Sequence, residues 1–422
     1  MGRRYFGTDG VRGVVGEDLT PQLVERLGRA ATVWSGGGAV FIGRDTRGSG
    51  RELERAFASG VASVGGNAVL AGVLPTPAVA LLALDLGAVI SASHNPPEYN
   101  GVKFFDRDGR KLTDADEEAI EALLDSPPRD ADQGRIEDLE VAVESYLDLV
   151  LERFGADLSG LRVGVDCANG AYSWIAPRAF EQLGAHVFPI GVEPDGQNIN
   201  VGCGATDLSA LQQLVRREGL DLGVAFDGDG DRMLAVDGNG DALDGDQILA
   251  VLALDREVDL VVVTSMTNLG FHRLMEERGI RVVVTDVGDR YVLEALQREG
   301  GLLGGEQSGH IIYLDGHVTG DGLAGALLLC GALRGRPLAE AAAVMERYPQ
   351  MKENVRVGRK EFSDDLRHEV DRLNVELSGR GRVLVRPSGT EPVVRVLAEA
   401  ENVQEAADLC ARIAALVAKE LG

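Results

Sequence analysis

The sequence predicts an α/β protein with three similar βαβ-type domains on mainly parallel sheets, followed by a smaller C-terminal α+β domain. Three observations support this prediction. Apolar runs with strand character alternate with helical stretches, successive strands end at polar motifs, and the pattern changes to a shorter unit after about residue 355. The predicted domains are 1–150, 151–250, 251–350 and 351–422.

In the first domain, the predicted elements are helices 21–35, 50–64 and 77–84 and strands 39–42, 67–71 and 88–90. Ligand loops lie at the carboxyl ends of parallel strands, and the polar segment after the third strand is in that position. A polar, proline-containing stretch, 125–138, precedes a helix at 141–154 that is predicted to bridge to the second domain.

The later domains repeat this order of elements. The second has predicted strands 162–166, 185–190 and 222–226 and a helix at 174–183; the third has strands 260–264, 282–285 and 302–304 and helices 269–278 and 290–298. The C-terminal domain has helices 362–377 and 403–421 and strands 382–385 and 394–399. We predict that this small domain acts as a lid, hinged near residues 351–357.

Composition limits the class of partner and the location. With 67 acidic and 42 basic residues, the net charge of −25 argues against nucleic acid or an anionic membrane as partner. Only five of the basic residues are lysines, and this composition favours, as a hypothesis, a salt-adapted cytoplasm and a halophilic source. No apolar run approaches the ~20 residues of a membrane span, and the N-terminus lacks a secretory signal. We therefore expect a cytoplasmic protein with its four scattered cysteines reduced.

The segment after the third strand carries a candidate nucleophile. An apolar run leads into SASHNP at 91–96, which has neither helical nor strand periodicity. The prolines that follow restrict the backbone, so a stiff loop can present Ser93 and His94. Taken alone, the segment also fits an ordinary strand-to-turn junction with a capping serine.

A candidate metal site follows the strand at 222–226. Asp227, Asp229 and Asp231 alternate with glycines, so three carboxylates can converge from one tight loop. Hard oxygen ligands suit Mg²⁺. Taken alone, the motif also fits a solvated acidic turn or a calcium loop, although an EF-hand would need a glutamate that is missing. The similar segment 237–241 is predicted to be a type I′ hairpin turn rather than a second metal site.

Five motifs together resemble those of the α-D-phosphohexomutases. They are FGTDGVRG (6–13), SASHNP (91–96), DGDGDR (227–232), GEQSGH (305–310) and RPSGTEP (386–392). They occur in that family's order and span almost the whole chain. The resemblance implies four domains around one cleft and an isomerase that moves a phosphoryl group between the two ends of a phosphosugar, through a phosphoserine and a bound Mg²⁺.

By this resemblance, Ser93 is the phosphoserine and joins the three aspartates as a Mg²⁺ ligand. Arg232 is placed to bind the phosphoryl group, and His94 either orients the serine or is a structural hydrogen-bonding residue. Lys103 and Arg12 match family residues beside the nucleophile. Because a desolvated lysine can titrate and an arginine hardly can, we prefer Lys103 for proton transfer and Arg12 for orientation.

Two further motifs are predicted to bind the substrate. GEQSGH resembles a sugar-binding loop, in which Glu306 and Ser308 contact ring hydroxyls and His310 lies close by. RPSGTEP resembles a clamp for the phosphate that is not reacting. Its predicted ligands are Arg386, Ser388, Gly389 and Thr390, with Arg395 as a second cation. Such a clamp lets a bisphosphorylated intermediate turn around and present its other end to the serine.

The motifs also bear on the sugar. FGTDGVRG, VGDRYV at 287–292 and the glutamine of GEQSGH resemble the phosphoglucosamine-mutase branch, whereas HNPPEYNG resembles archaeal enzymes for mannose and glucose phosphates. We favour interconversion of glucosamine 6-phosphate and glucosamine 1-phosphate, activated by glucosamine 1,6-bisphosphate or a similar hexose bisphosphate, by a monomer or homodimer. The alternatives are a phosphomannomutase/phosphoglucomutase, a phosphatase, and a non-catalytic phosphosugar-binding paralogue, which would be expected to lack the serine or a metal carboxylate.

Overall fold

The computed structural model of the chain describes residues 4–7, 9–126, 132–388 and 392–422. Contacts within the chain divide it into two compact units. The first unit comprises Met1–Ser265 and Arg281–Ala343, and the second comprises Met266–Ile280 and Val344–Gly422. None of the described helices is both long enough and apolar enough to cross a membrane. All four cysteines are buried free thiols.

The first sheet carries the serine loop, residues 91–98. Its elements are β1 (Val11–Val14), α1 (Pro21–Trp34), β2 (Ala39–Arg44), α2 (Gly50–Ala62), β3 (Asn67–Val73), α3 (Thr76–Leu81), β4 (Leu86–Ile90), β5 (Tyr99–Asp106), α4 (Asp114–Leu123) and β6 (Ile136–Asp138), followed by α5 (Ala142–Phe154). The strand order is β1-β5-β4-β2-β3-β6. Strands β4, β2, β3 and β6 are parallel, whereas β5 is antiparallel to β4 and β1. Leu27 of α1 and Phe57 of α2 are fully buried in its core.

The second sheet carries the aspartate loop, residues 227–232. Its elements are β7 (Arg162–Asp166), α6 (Ala176–Gln182), β8 (His186–Ile190), α7 (Ser209–Glu218), β9 (Leu222–Phe226), β10 (Met233–Asp237) and β11 (Ala242–Leu243), in the order β11-β10-β9-β7-β8. A hairpin does join β10 to β11, but the predicted type I′ turn is wrong. Within 237–241 only Gly240 has a positive φ, of 83°, and a type I′ turn needs two such residues.

The third sheet completes the first unit. The elements from this part of the chain are α8 (Gly245–Asp255), β12 (Leu260–Thr264), α9 (Leu269–Glu277), β13 (Arg281–Thr285), α10 (Asp289–Glu299), β14 (Leu303–Gly305), β15 (Ile311–Tyr313), α11 (Gly322–Leu333) and α12 (Leu338–Ala342). Of these, α9 belongs to the second unit. The strand order is β13-β12-β14-β15, with β12 parallel to both β13 and β14.

Each of the three sheets has a return strand directly after its site motif. Strands β5, β10 and β15 run antiparallel to β4, β9 and β14 respectively. The sequence analysis did not predict these return strands. They hold both ends of each motif at the edge of a sheet, so the motif loops are short connections between paired strands. The predicted α/β class with mainly parallel sheets is confirmed.

The second unit has its own antiparallel sheet. Besides α9, its elements are β16 (Gln350–Arg356), α13 (Asp364–Leu377), β17 (Arg382–Pro387), β18 (Val393–Glu399) and α14 (Val403–Leu421), with strand order β16-β18-β17. The lid motion stays a prediction, and most of its predicted hinge, 351–357, lies in β16. Residues 350–356 form a strand that pairs along its whole length with β18, and ladder hydrogen bonds restrain its backbone.

Candidate active site

Ser93 lies just beyond the carboxyl end of β4, in the loop that leads to β5. Its φ of 53° is in the left-handed region, which residues with a side chain seldom adopt. The hydroxyl is buried and donates to Asp227 Oδ2 at 2.6 Å, and it lies 3.3 Å from His94 Nδ1. The predicted nucleophile therefore contacts the predicted metal loop directly.

A buried arginine that the sequence analysis did not select, Arg47, holds the same loop. Its guanidinium donates to the carbonyl oxygens of Ser93 at 2.9 Å and Asn95 at 2.8 Å. Arg47 follows β2, the parallel neighbour of β4, so the two strands end at the same edge of the sheet. Charged residues directly after a buried strand were the signal that could have identified it.

Asp227, Asp229 and Asp231 form a compact group of buried carboxylates. One ligand atom from each lies within 4.8 Å of the others. Among the described residues, Oδ1 of Asp229 and Oδ1 of Asp231 are buried without a hydrogen-bond partner. Burial and the two neighbouring carboxylates raise the pKa of Asp227 well above its ordinary value. Three buried hard oxygen donors with unused lone pairs fit a divalent cation such as Mg²⁺.

Lys103, on β5, reaches the same carboxylates. Its Nζ lies 2.7 Å from Asp229 Oδ2, 3.0 Å from Asp231 Oδ2 and 3.1 Å from Asp9 Oδ2. Burial alone favours the neutral amine, but the three carboxylates outweigh it and raise the pKa of Lys103 well above its ordinary value. The net direction of the shift is therefore opposite to the one that burial alone would give, because the sequence did not reveal how many carboxylates face the amine.

Two predicted arginines lie close to this group. Arg12 pairs with Asp9, and Arg232 Nε lies 3.9 Å from Asp231 Oδ1. The backbone N–H of Arg232 donates to Asp227 at 3.2 Å, so the arginine is tied to the metal loop. Burial and the charges of Arg232 and Arg12 lower the pKa of His94 to about 4. His94 is therefore neutral at pH 7 and can share a hydrogen bond with the serine hydroxyl.

Side chains of the GEQSGH loop make hydrogen bonds and an ion pair with residues outside the loop. Glu306 accepts a backbone hydrogen bond from Gly288 at 2.9 Å and lies 3.3 Å from the hydroxyl of the exposed Ser308. His310 is buried, and its Nε2 lies 3.1 Å from Asp289 Oδ2. The glutamine used above as a substrate signal, Gln307, donates to Asp244 and Asp246 of the neighbouring helix start.

The predicted phosphate clamp lies in the second unit. Arg386 of β17 and Arg395 of β18 are directly opposite each other in the ladder, so two cations share one site. Ser388 is buried, and its carbonyl oxygen accepts a hydrogen bond from Lys360 Nζ at 2.6 Å. The sequence analysis did not select Lys360. Gly389 and Thr390 lie outside the described residues.

The chain matches four domain models in series. They describe phosphoglucomutase/phosphomannomutase α/β/α domain I at residues 3–129, domain II at 144–240, domain III at 244–348 and the C-terminal domain at 351–416. The chain belongs to the phosphoglucomutase/phosphomannomutase family. This membership confirms the resemblance drawn from the five motifs, and it makes the chain a phosphohexomutase, an isomerase.

Relatives and solved structures of this phosphohexomutase cover nearly its full length. Phosphoglucosamine mutases from Pelotomaculum thermopropionicum and Bacillus subtilis are 48% and 45% identical, each over 98% or more of both chains. A phosphoglucomutase/phosphomannomutase family protein from Burkholderia thailandensis superimposes with a TM-score of 0.85 at 25% identity, covering 99% of this chain and 97% of the other. The N-acetylphosphoglucosamine mutase of Aspergillus fumigatus shares the fold at 19% identity, with a TM-score of 0.72 over 99% and 96% of the two chains.

Proposed function

We propose that this phosphohexomutase is a phosphoglucosamine mutase, which interconverts glucosamine 6-phosphate and glucosamine 1-phosphate through phosphorylated Ser93 and a sugar 1,6-bisphosphate. The observation that carries the proposal is the set of near full-length relatives named phosphoglucosamine mutase, at 44% to 49% identity. The contact of Ser93 with Asp227 supports the chemistry, because the nucleophile and the carboxylates meet in one buried site.

In the first half-reaction, the bond between phosphorus and Ser93 Oγ breaks as a bond forms between phosphorus and a sugar hydroxyl oxygen, which gives the bisphosphate. In the second, the phosphorus–oxygen bond at the other end of the sugar breaks and the bond between phosphorus and Ser93 Oγ forms again. In both, the proton of the attacking hydroxyl goes to the oxygen that leaves phosphorus. Mg²⁺ held by Asp227, Asp229 and Asp231 would supply positive charge for the phosphoryl oxygens. Arg232 is placed to add a fork of N–H donors beside them. The left-handed backbone and the hydrogen bonds of the serine loop keep Oγ in place between the two half-reactions.

Lys103 has a charge-balancing part in this proposal, beside the proton transfer predicted from the sequence. Its raised pKa keeps the ammonium charged, so we assign it to holding Asp229 and Asp231 and to balancing charge. Proton transfer by Lys103, with Arg12 and His94 orienting the reacting groups, stays a prediction. An alkaline limb in kcat that disappears in Lys103→Arg would support it.

The substrate is held at two ends in this proposal. Glu306 offers a carboxylate, and Ser308 an exposed hydroxyl, for the sugar ring, while His310 supports the loop from its buried position. Arg386, Ser388, Gly389, Thr390 and Arg395 would bind the phosphate that is not reacting. Two opposed arginines suit a dianionic phosphate because each presents several donors in a fixed plane.

Several finer features belong to the same proposal. We propose domain boundaries at 1–150, 151–250, 251–350 and 351–422, activation by a hexose 1,6-bisphosphate, a monomer or homodimer, and a cytoplasmic location. The net charge of −25 and the scarcity of lysine support a salt-adapted, halophilic source. Activity that falls steeply with rising KCl would contradict that last feature.

The deciding experiment compares kcat/KM for glucosamine 6-phosphate, glucose 1-phosphate and mannose 1-phosphate, each with Mg²⁺ and glucose 1,6-bisphosphate. We expect a preference of ~100-fold or more for the amino sugar, equivalent to about 2.7 kcal/mol at the transition state. Ser93→Ala is the control and should abolish turnover. Equal or faster turnover of the neutral sugars would make the enzyme a phosphomannomutase/phosphoglucomutase, and phosphate release that matches turnover would make it a phosphatase.

A further inference from the structure

Arg47 is a charged side chain near the serine whose guanidinium donates five hydrogen bonds. Its guanidinium is fully buried, and an arginine carries five N–H donors. Nε donates to Asp45 Oδ2 at 2.9 Å. The terminal nitrogens donate to the carbonyl oxygens of Ser93 (2.9 Å), Asn95 (2.8 Å), Pro96 and Tyr99 (3.0 Å). One cation therefore binds three carbonyl groups of the loop between β4 and β5 and the carbonyl group of the first residue of β5.

A second connection runs from the same ion pair to the serine backbone. Asp45 Oδ1 accepts the backbone N–H of Arg47 at 3.0 Å, and Asp45 Oδ2 accepts the hydroxyl of Ser91 at 2.6 Å. The oxygen of Ser91 in turn accepts the N–H of Ser93 at 2.9 Å. The N–H and the carbonyl of Ser93 are thus both bonded into one buried network around Arg47.

A third connection comes from the loops of the second sheet. Asn200 Nδ2 donates to the carbonyl oxygens of Ser93 at 2.9 Å and Asn95 at 3.3 Å. Gly228, in the aspartate loop, lies so close that a Cβ there would be 2.8 Å from the carbonyl oxygen of Ser93. The carbonyl oxygen of Ser93 therefore accepts hydrogen bonds from both Arg47 and Asn200, and the aspartate loop packs closely against it.

We propose that Arg47 is the positioning residue of the phosphoryl transfer, acting through the backbone of Ser93 with Ser91 and Asn200 as its partners. The inference rests on the proposed role of Ser93. A left-handed backbone is energetically unfavourable for serine. Hydrogen bonds from the surrounding residues must therefore stabilise the φ and ψ angles of Ser93. Released from this network, the loop relaxes and moves Oγ away from Asp227, and a shift of about 1 Å can cost 10²-fold in rate.

The test compares Arg47→Lys with Arg44→Lys in the full-length protein. Arg44 is the last residue of β2. Its side-chain hydrogen bonds go to Glu54 at 3.2 Å and to the carbonyl oxygen of Asp45 at 3.3 Å, and not to the serine loop. We measure the thermal unfolding midpoint, kcat and KM with glucosamine 1-phosphate, and the rate at which glucose 1,6-bisphosphate phosphorylates Ser93, by intact mass. Lysine keeps the charge but cannot present the planar fork of donors.

We expect Arg47→Lys to lower kcat and the phosphorylation rate by about 100-fold with KM unchanged within about threefold, and Arg44→Lys to change neither by more than about twofold. A folded Arg47→Lys variant with kcat within threefold of wild type would overturn the inference, as would a loss that only tracks the unfolded fraction. If Arg47→Lys does not fold, Ser91→Ala and Asn200→Ala decide. Each should lose about tenfold in kcat with KM retained, and unchanged kcat in both would refute the role.

The two proposals fail in different ways. If wild-type protein neither turns over a hexose phosphate nor becomes phosphorylated on Ser93, the proposed function falls and this inference falls with it. If wild-type protein does both and the variants of the network match it, the inference alone falls.

Discussion

Replacement of Gly230 by alanine tests how the aspartate loop is supported. Gly230 has a φ of 78°, and a Cβ there would lie 2.7 Å from Tyr172 Cδ2 and closer still to Cε2. The ring cannot move away easily, because its centroid is 4.8 Å from that of Phe226 and its hydroxyl donates to Asp321 at 2.8 Å. The peptide must therefore shift, and candidate metal ligands lie on both sides of it.

The size of the effect follows from two contributions. A left-handed residue with a Cβ costs about 1–2 kcal/mol, and overpacking against a fixed ring adds about 1–3 kcal/mol. We expect Gly230→Ala to lower the free energy of unfolding by about 2–5 kcal/mol. Because Asp229 and Asp231 flank the shifted peptide, we also expect at least about tenfold weaker Mg²⁺ binding and a loss of about 10²-fold in kcat/KM.

The assays are unfolding in urea, calorimetric titration with Mg²⁺, and mutase kinetics. Gly219→Ala is the matched control, since Gly219 is also left-handed, with φ 60°, but has no atom within 4 Å of the added Cβ. It should lose only about 1–2 kcal/mol and keep full activity. If Gly230→Ala loses no more stability than Gly219→Ala and binds Mg²⁺ as wild type does, the aspartate loop is not held by the Tyr172 ring.

Two further predictions concern the metal and the pH dependence. Mg²⁺ should raise the unfolding midpoint of the wild type and restore activity lost to EDTA, whereas Asp229→Asn should show neither response; a wild-type shift retained in the variant would place the metal elsewhere. Burial opposes ionisation of Asp321, but His317, the Ala324 N–H and Tyr172 outweigh it and lower its pKa. A lowered pKa in the folded protein stabilises it above the unfolded value of 3.8, and this stability is lost as the pH falls through the folded value. The difference in thermal unfolding midpoint between wild type and Asp321→Asn should therefore be constant from about pH 8 to 5 and should narrow below about pH 4. A difference that is the same at all pH values would contradict this assignment.

Local patterns were enough to predict most individual elements and the chemical character of the site. Strands such as β7, β9 and β12 coincide with the predicted segments, because each is a continuous apolar run bounded by polar residues. The motif loops were recognised for the same reason, since a nucleophile after β4 and three carboxylates after β9 are contiguous in the chain. The return strands were missed because their pairing partners, rather than their own periodicity, define them.

What the sequence by itself determined is which residue types follow which strands, and therefore the candidate serine, the carboxylates and the family. Only the tertiary structure decided which charges meet. Asp9, Asp229 and Asp231 converge on Lys103 and raise its pKa, although more than a hundred residues separate two of them from it. Arg47 likewise reaches Ser93 from another strand. A pKa depends on the distance and burial of every neighbouring charge, and those quantities exist only once distant segments have packed together.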